Sequence, residues 1–229
     1  MKLEFSTKAG TLVALQSKMS SAKILPLYVL TTSEWRSDQK SCITALKKSL
    51  GGGLFIVRSS CGAEDSKYAS RAGEFLSILN VESHNVKVSV DQVISSYGHA
   101  EPADEVLIQP MLNNVIRSGV AFSHDPNTCS PYRIVNWVES SDTSAITGGM
   151  NGKVWQQAAN SQVLPGPIFS PIIEMLDELL SFFGNTPIDA EFAVTKEENK
   201  EVLWLLQARP LILRVKPETE AKQAERLKR

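Results

Sequence analysis

Apolar and polar positions alternate along the chain in a pattern that predicts mixed helices and strands. Leu12, Leu15 and Met19 recur at helical spacing, which predicts an opening helix over Thr7–Met19. Ile24–Thr31 is a short apolar run of β-forming residues interrupted by Pro26, so it reads as a strand with an irregular or edge start. Ser33 or Asp38 is suited to cap a helix running to Leu50, and Gly51-Gly52-Gly53 ends it. Leu54–Ser60 is a continuous run of the kind found in strands buried on both faces. The small, polar residues Cys61–Arg71 predict a loop. A strand over Gly73–Val81 and a helix over Val86–Tyr97 complete the first half.

A second lobe is expected to open near Glu101-Pro102. Strands are predicted over Glu105–Leu112, Gly119–Ser123 and Tyr132–Glu139, with Asn113-Asn114 as a turn. Ser140–Gly152 is rich in Ser, Thr and Gly and reads as a mobile loop. Pro171 opens a helix whose Ile172, Ile173, Leu176, Leu179, Leu180 and Phe183 form one apolar stripe, and Gly184 stops it. Two strands follow, Ile188–Thr195 and Val202–Gln207, around the charged turn Lys196–Lys200. From Lys216 the chain turns charged, as in a solvated tail or a linker. Without strict βαβ alternation the order argues an α+β fold in two lobes, 1–100 and 101–215, followed by a tail over 216–229.

Composition narrows the function classes. A chain of 229 residues with 42% hydrophobic content buries a substantial core. Its net charge of −1 gives no general attraction to nucleic acid or anionic membrane, so any anion-binding charge must be local. No apolar run reaches the roughly 20 residues that span a bilayer. The N-terminus lacks the apolar core of a signal peptide. Cys42, Cys61 and Cys129 form neither a metal pattern nor a disulfide framework, which fits a reducing cytoplasm. His84, His99 and His124 do not cluster.

The last two strands carry the strongest chemical signal. Ile188, Ala190, Phe192 and Val194 share one face, and Val202, Trp204, Leu206 and Ala208 are expected to share a core-facing side of the partner. Burying both sets turns Asp189, Glu191, Gln207 and Arg209 together onto the opposite face. Two carboxylates and an amide oxygen are hard ligands suited to Mg²⁺. The plainer alternative is the solvated edge of an ordinary hairpin. Upstream, Val57-Arg58-Ser59-Ser60 offers a guanidinium fork and hydroxyls for phosphate, followed by Glu64-Asp65 and Ala72-Gly73. The alternative is a strand-end arginine paired to Glu64 or Asp65. Lys8, near a helix start, is a candidate anion ligand or a solvated lysine. Val106–Met111 reads either as a strand leading into a hinge that meets an adenine edge or as a plain core strand.

In order and spacing, V-R-S-S…E-D…A-G, V-L-I-Q-P-M…S-G-V-A-F-S-H-D-P and D-A-E-F…L-L-Q-A-R-P resemble the ATP-grasp nucleotide-binding domain of phosphoenolpyruvate synthase and pyruvate phosphate dikinase. The resemblance spans nearly the whole chain, although Ser6-Thr7-Lys8-Ala9-Gly10 stands where the family has Gly-Gly-Lys-Gly. It implies two lobes clasping ATP with Mg²⁺. Lys8 and Arg58 would then hold phosphates. Gln109 and Met111 would lie at the adenine hinge, and Glu139 near the ribose or the glycine segment. Asp189, Glu191 and Gln207 would arrange metal and triphosphate, and Arg209 would stabilise the phosphoryl group in flight. Family enzymes pass that phosphoryl to a histidine on a separate swivelling domain, which visits an acceptor domain; none of the three histidines here stands in that context. The opening segment and the compact length resemble shorter relatives encoded with surface-polysaccharide genes, among them the L-glutamine kinase of capsular phosphoramidate synthesis. Phosphoenolpyruvate synthase acting on pyruvate, a nucleotide-sensing module and a ligand-free interaction domain are the competing readings.

Overall fold

The computed structural model describes residues 2–62, 76–139, 152–198, 200–213 and 215–228. Glu64-Asp65, Ala72-Gly73 and most of the Ser/Thr/Gly segment after Ser140 lie outside the described residues. The chain divides into two units: Ser6–Val13 with Leu25–Leu112, and Met1–Phe5 with Ala14–Ile24 and Asn113–Arg229.

The smaller unit is built on a four-stranded antiparallel sheet of order β1-β4-β2-β3, comprising β1 (Tyr28–Thr31), β2 (Leu54–Ser60), β3 (Ser77–Glu82) and β4 (Glu105–Pro110). The helix α1 (Lys8–Leu15) begins in it, and α2 (Thr32–Ser37), α3 (Gln39–Leu50) and α4 (Val86–Ser96) complete it. Phe55 and Val57 of β2 and Val106 and Ile108 of β4 form one core with Trp35, Leu46, Val86, Val90 and Val93 from the helices. Burying each such side chain contributes about 1.5–3 kcal/mol. Side chains alternate across a strand, so Arg58, Ser60, Glu105 and Gln109 lie on the sheet face opposite this core.

One predicted helix is two. Thr31 caps α2 in a reciprocal box with Glu34, and Asp38, one of the two expected caps, caps the helix that runs to Leu50 by accepting from the Ser41 N–H. The second helix ends at Gly51, whose φ of +74° suits a residue without a side chain. The first strand is shorter than its apolar run: it begins at Tyr28, and Lys23, just before the run, makes an isolated parallel bridge to Trp204. The expected break at residue 100 also moves. Since β4 pairs with both β1 and β2, the small sheet runs on to Pro110 and the unit to Leu112.

The larger unit holds a five-stranded antiparallel sheet of order β7-β6-β5-β8-β9, formed by β5 (Val115–Phe122), β6 (Tyr132–Val138), β7 (Lys153–Ala158), β8 (Ile188–Glu197) and β9 (Lys200–Pro210). The helix α5 (Ser170–Phe182) lies against β5 and β8, with Ile172, Met175, Leu176, Leu179 and Leu180 buried. Phe183 stacks on Phe5 at 3.7 Å between ring centroids. Hydroxyls and N–H groups of Ser20 and Ser21 converge on the Glu178 carboxylate and tie that segment to α5. The edge strand β7 was not predicted; Lys153-Val154-Trp155-Gln156-Gln157 has no clear apolar face, and the strand forms by pairing with β6. The supposed charged tail contains α6 (Glu220–Leu227), capped by Thr219 and with Gln223 fully buried.

Candidate nucleotide and metal site

In the larger unit the hairpin register brings the predicted residues together. Asp189 pairs with Arg209 and Glu191 with Gln207, and cross-strand partners in an antiparallel ladder project to the same side. Nε and Nη2 of Arg209 donate to Oδ2 of Asp189 at 3.0 and 2.7 Å. Asp189 and Gln207 are buried at 7% and 5% exposure, while Glu191 is half-buried. Neighbouring β5 supplies Phe122 opposite Asp189 and Val120 opposite Glu191, both half-buried.

The expected core set on β9 is corrected. The register shifts between Glu191 and Phe192, so Phe192 faces Leu205 and Leu206 is the extra residue of a β-bulge. A bulge resets side-chain parity. Leu203, Leu205 and Ala208 are therefore the buried apolar residues, while Trp204 turns to the other face, beneath Lys23 and within 2.9 Å of Thr195 Oγ1. The polar quartet stays aligned because all four residues lie on one side of the bulge.

Strand β5 must approach its neighbours closely. A Cβ on Gly119 would sit 2.4 Å from the Asn136 carbonyl oxygen and 2.7 Å from Phe192 Cζ. Glycine at this position leaves room for the Asn136 carbonyl of β6 and the Phe192 ring of β8.

In the smaller unit Lys8 is buried at 5% exposure, so it is not the solvated lysine that local sequence favoured. Its Nζ donates to the Ser59 carbonyl at 3.3 Å, and the Ala9 N–H donates to Ser60 Oγ at 2.8 Å. These contacts fix the start of α1 against the end of β2. Glu105 organises the same corner: Thr7 Oγ1 donates to it at 2.6 Å, Ser60 Oγ at 3.3 Å, and its own carbonyl accepts from the Tyr97 hydroxyl. Sequence reading missed Glu105; its only sequence signal is a carboxylate at the head of an apolar strand. Arg58 does not sit at a strand end. It is buried inside β2, flanked by Ser77 and Leu107.

Gln109 is 1% exposed, and its Nε2 has no hydrogen-bond partner among the described residues. Strand β1 ends opposite Ile108, so Gln109 and Pro110 run beyond it. The Met111 N–H donates to the Leu54 carbonyl at 2.9 Å and so is not available to an adenine edge. Glu139 is exposed at the end of β6 and pairs with Lys153 at 3.0 Å, a surface contact of small energetic weight.

Two carboxylates and an amide oxygen are a donor set that fits Mg²⁺, which takes one or two protein carboxylates and completes its shell with phosphate oxygens and water. Among the described residues no group of three His, Cys, Asp or Glu side chains converges, so a closed all-protein cage is not what these residues build. A groove of about 770 Å³ beside α6, lined among others by Asp125, Cys129, Lys216, Lys222 and Arg226, includes none of the predicted site residues.

Known proteins agree with this architecture. The chain is similar to the D-alanine-D-alanine ligase of Helicobacter pylori (TM-score 0.51, 15% identity, 90% of this chain and 54% of that one). It is similar to the Coxiella burnetii ligase at TM-score 0.52 and 11% identity, over 89% and 47% of the two chains. The protein PH1788 of Pyrococcus horikoshii Ot3 superposes at TM-score 0.54 and 12% identity, over 92% and 90%. The chain thus spans about half the length of the two ligases. These likenesses establish the α+β ATP-grasp fold. No curated protein sequence matches. Among the described residues no helix is long and apolar enough to cross a membrane. Residues 12–150 match the family described as "Pyruvate phosphate dikinase, AMP/ATP-binding domain", a stretch that includes Arg58, Gln109, Met111 and Glu139 and stops before the β8–β9 hairpin. That match covers more than half of the sequence, so the chain belongs to the pyruvate phosphate dikinase AMP/ATP-binding domain family.

Proposed function

We propose that this chain binds MgATP and passes a phosphoryl group from it to a histidine on a separate swivelling domain, in the same polypeptide or in trans. The observation that carries the reading is the register that sets Asp189, Glu191, Gln207 and Arg209 on one face. A bound Mg²⁺ would neutralise triphosphate charge there. Asp189, Glu191 and Gln207 present oxygen ligands, and Arg209, held in plane by Asp189, offers a guanidinium to the transferring phosphoryl. Within the smaller unit, Lys8 and Arg58 are the candidates for phosphate and Gln109 for the base. In the transfer a P–O bond of the triphosphate breaks as an N–P bond forms on the acceptor imidazole. The protein contributes positioning and charge, with no covalent step of its own.

For the final acceptor we favour the side-chain amide of L-glutamine in capsular phosphoramidate synthesis. The segments Lys2-Leu3-Glu4-Phe5-Ser6-Thr7-Lys8 and Ser21-Ala22-Lys23-Ile24-Leu25-Pro26, unlike those of standard synthases, support that choice over pyruvate. A cytoplasmic location follows from the ATP dependence.

The test is thermal denaturation of the full chain with ATP. At about 100 times its dissociation constant, ATP in Mg²⁺ stabilises by roughly 2.7 kcal/mol. No shift in Mg²⁺ overturns nucleotide binding. Phosphotransfer to an added swivelling domain that survives Arg209→Ala unchanged removes Arg209 from the mechanism, whereas nucleotide binding by the wild-type chain without any phosphotransfer favours a sensing module.

A further inference from the structure

Ser123 directly follows β5 and is fully buried. Its N–H donates to the Ile188 carbonyl at 2.9 Å. The returning bond is unusual for a ladder: the Ile188 N–H donates to Ser123 Oγ, at 2.7 Å. The Ser123 carbonyl is held elsewhere, by Arg133 Nη1 at 3.0 Å. A side-chain hydroxyl thus takes the place of a backbone acceptor at the residue immediately before Asp189.

Arg133 is itself fixed. It lies on β6 at 7% exposure, and its Nε and Nη2 donate to Asp177 Oδ1 of α5 at 3.1 and 2.8 Å. Nη2 also reaches Glu220 Oε1 of α6 at 3.3 Å. Ser123 Oγ has His124 Nδ1 as a further neighbour at 3.1 Å. One buried guanidinium therefore joins α5, α6 and the end of β5 to the head of β8.

From this geometry we infer that Ser123 and Arg133 are positioning residues for Asp189: by turning the Ser123 carbonyl aside and its hydroxyl onto Ile188, they set the backbone from which the metal-side carboxylate projects. This rests on the reading of Asp189 as a metal ligand. Alanine at 123 leaves the Ile188 N–H without its acceptor, and the head of β8 can then shift relative to Gln207 and Arg209. A shift of a few tenths of an ångström matters little to an apolar core and much to a coordination shell, where groups that orient a ligand are worth about 10–100-fold in metal affinity.

The experiment is calorimetric titration of the full chain with a non-hydrolysable ATP analogue across a series of Mg²⁺ concentrations. Ser123→Ala is expected to raise the Mg²⁺ midpoint about tenfold while leaving affinity in EDTA unchanged. Ser123→Thr, which keeps the hydroxyl, restores the wild-type midpoint. Arg133→Lys, which cannot reach Ser123, Asp177 and Glu220 together, moves the midpoint in the same direction and serves if Ser123→Ala does not fold. Asp189→Asn separates the two levels of the claim. If it abolishes the Mg²⁺ dependence while Ser123→Ala and Arg133→Lys leave the midpoint in place, the positioning role is wrong and the metal role stands. If Asp189→Asn also leaves the midpoint in place, both are overturned.

Discussion

Gly119→Ala probes the sheet that carries the candidate metal face. The added methyl would lie 2.4 Å from the Asn136 carbonyl oxygen and 2.7 and 2.8 Å from two ring carbons of Phe192. Neither neighbour yields easily. The oxygen belongs to the backbone of β6, and Phe192 is 1% exposed, so its ring has no space into which to rotate. Relief requires β5 to move away from β6 or β8. Overpacking of this kind costs about 1–3 kcal/mol, and the backbone contact puts this site in the upper half of the range. For a chain of this length that lowers Tm by roughly 4–12 °C. Gly52→Ala is the matched control, since no atom lies within 4 Å of a Cβ there and its φ is outside the left-handed region. The control should be neutral or stabilise by about 0.4–1 kcal/mol. Thermal denaturation of the two variants beside wild type reads the difference. A Gly119→Ala protein as stable as the control refutes the close packing of β5 between its neighbours.

Other consequences are open to measurement. Replacing Gln109 with Met removes a buried donor that lacks a partner, so stability measured in urea should hold or rise by about 1 kcal/mol, while affinity for ATP falls. His124 is held below its ordinary pKa by burial and by the Arg133 guanidinium, with Glu220 opposing. Its contribution to stability is therefore full above pH ~6.5 and lost as pH falls through the lower folded value, and His124→Asn should flatten that part of a urea-midpoint profile. At Glu178, desolvation raises the carboxyl pKa, but hydrogen bonds from Ser21 and Ser20 outweigh it and the net shift is downward. Stability contributed by Glu178 is present above its unfolded value of about 4.5 and lost below it, and Glu178→Gln should lessen acid unfolding over that interval.

Much of the fold was legible because burial dictates side-chain period. The run Leu54–Ser60 and the stripe from Ile172 to Leu180 fold as their patterns predict. The alignment of Asp189 with Arg209 and of Glu191 with Gln207 followed from period two alone. Period counting failed at Leu206, because a bulge consumes a residue without leaving a signal in hydropathy. It failed at β7, an edge strand that exists through its pairing with β6. It failed at α6, where charged residues outnumber apolar ones and the fully buried residue is a glutamine. The parts played by Lys8 and Glu105 were also illegible. Burial of a lysine against a backbone carbonyl, and the gathering of Thr7, Ser60 and Tyr97 by one carboxylate, are tertiary events that local sequence does not encode.

Under the proposed function the polar face of the β8–β9 hairpin holds the metal and the triphosphate. Mn²⁺ takes the same oxygen ligands as Mg²⁺ and is visible by electron paramagnetic resonance. With a non-hydrolysable ATP analogue present, the wild-type chain should quench the free Mn²⁺ signal beyond what the analogue alone achieves, and Asp189→Asn/Glu191→Gln should abolish that extra quenching. Equal quenching by the two proteins contradicts the claim.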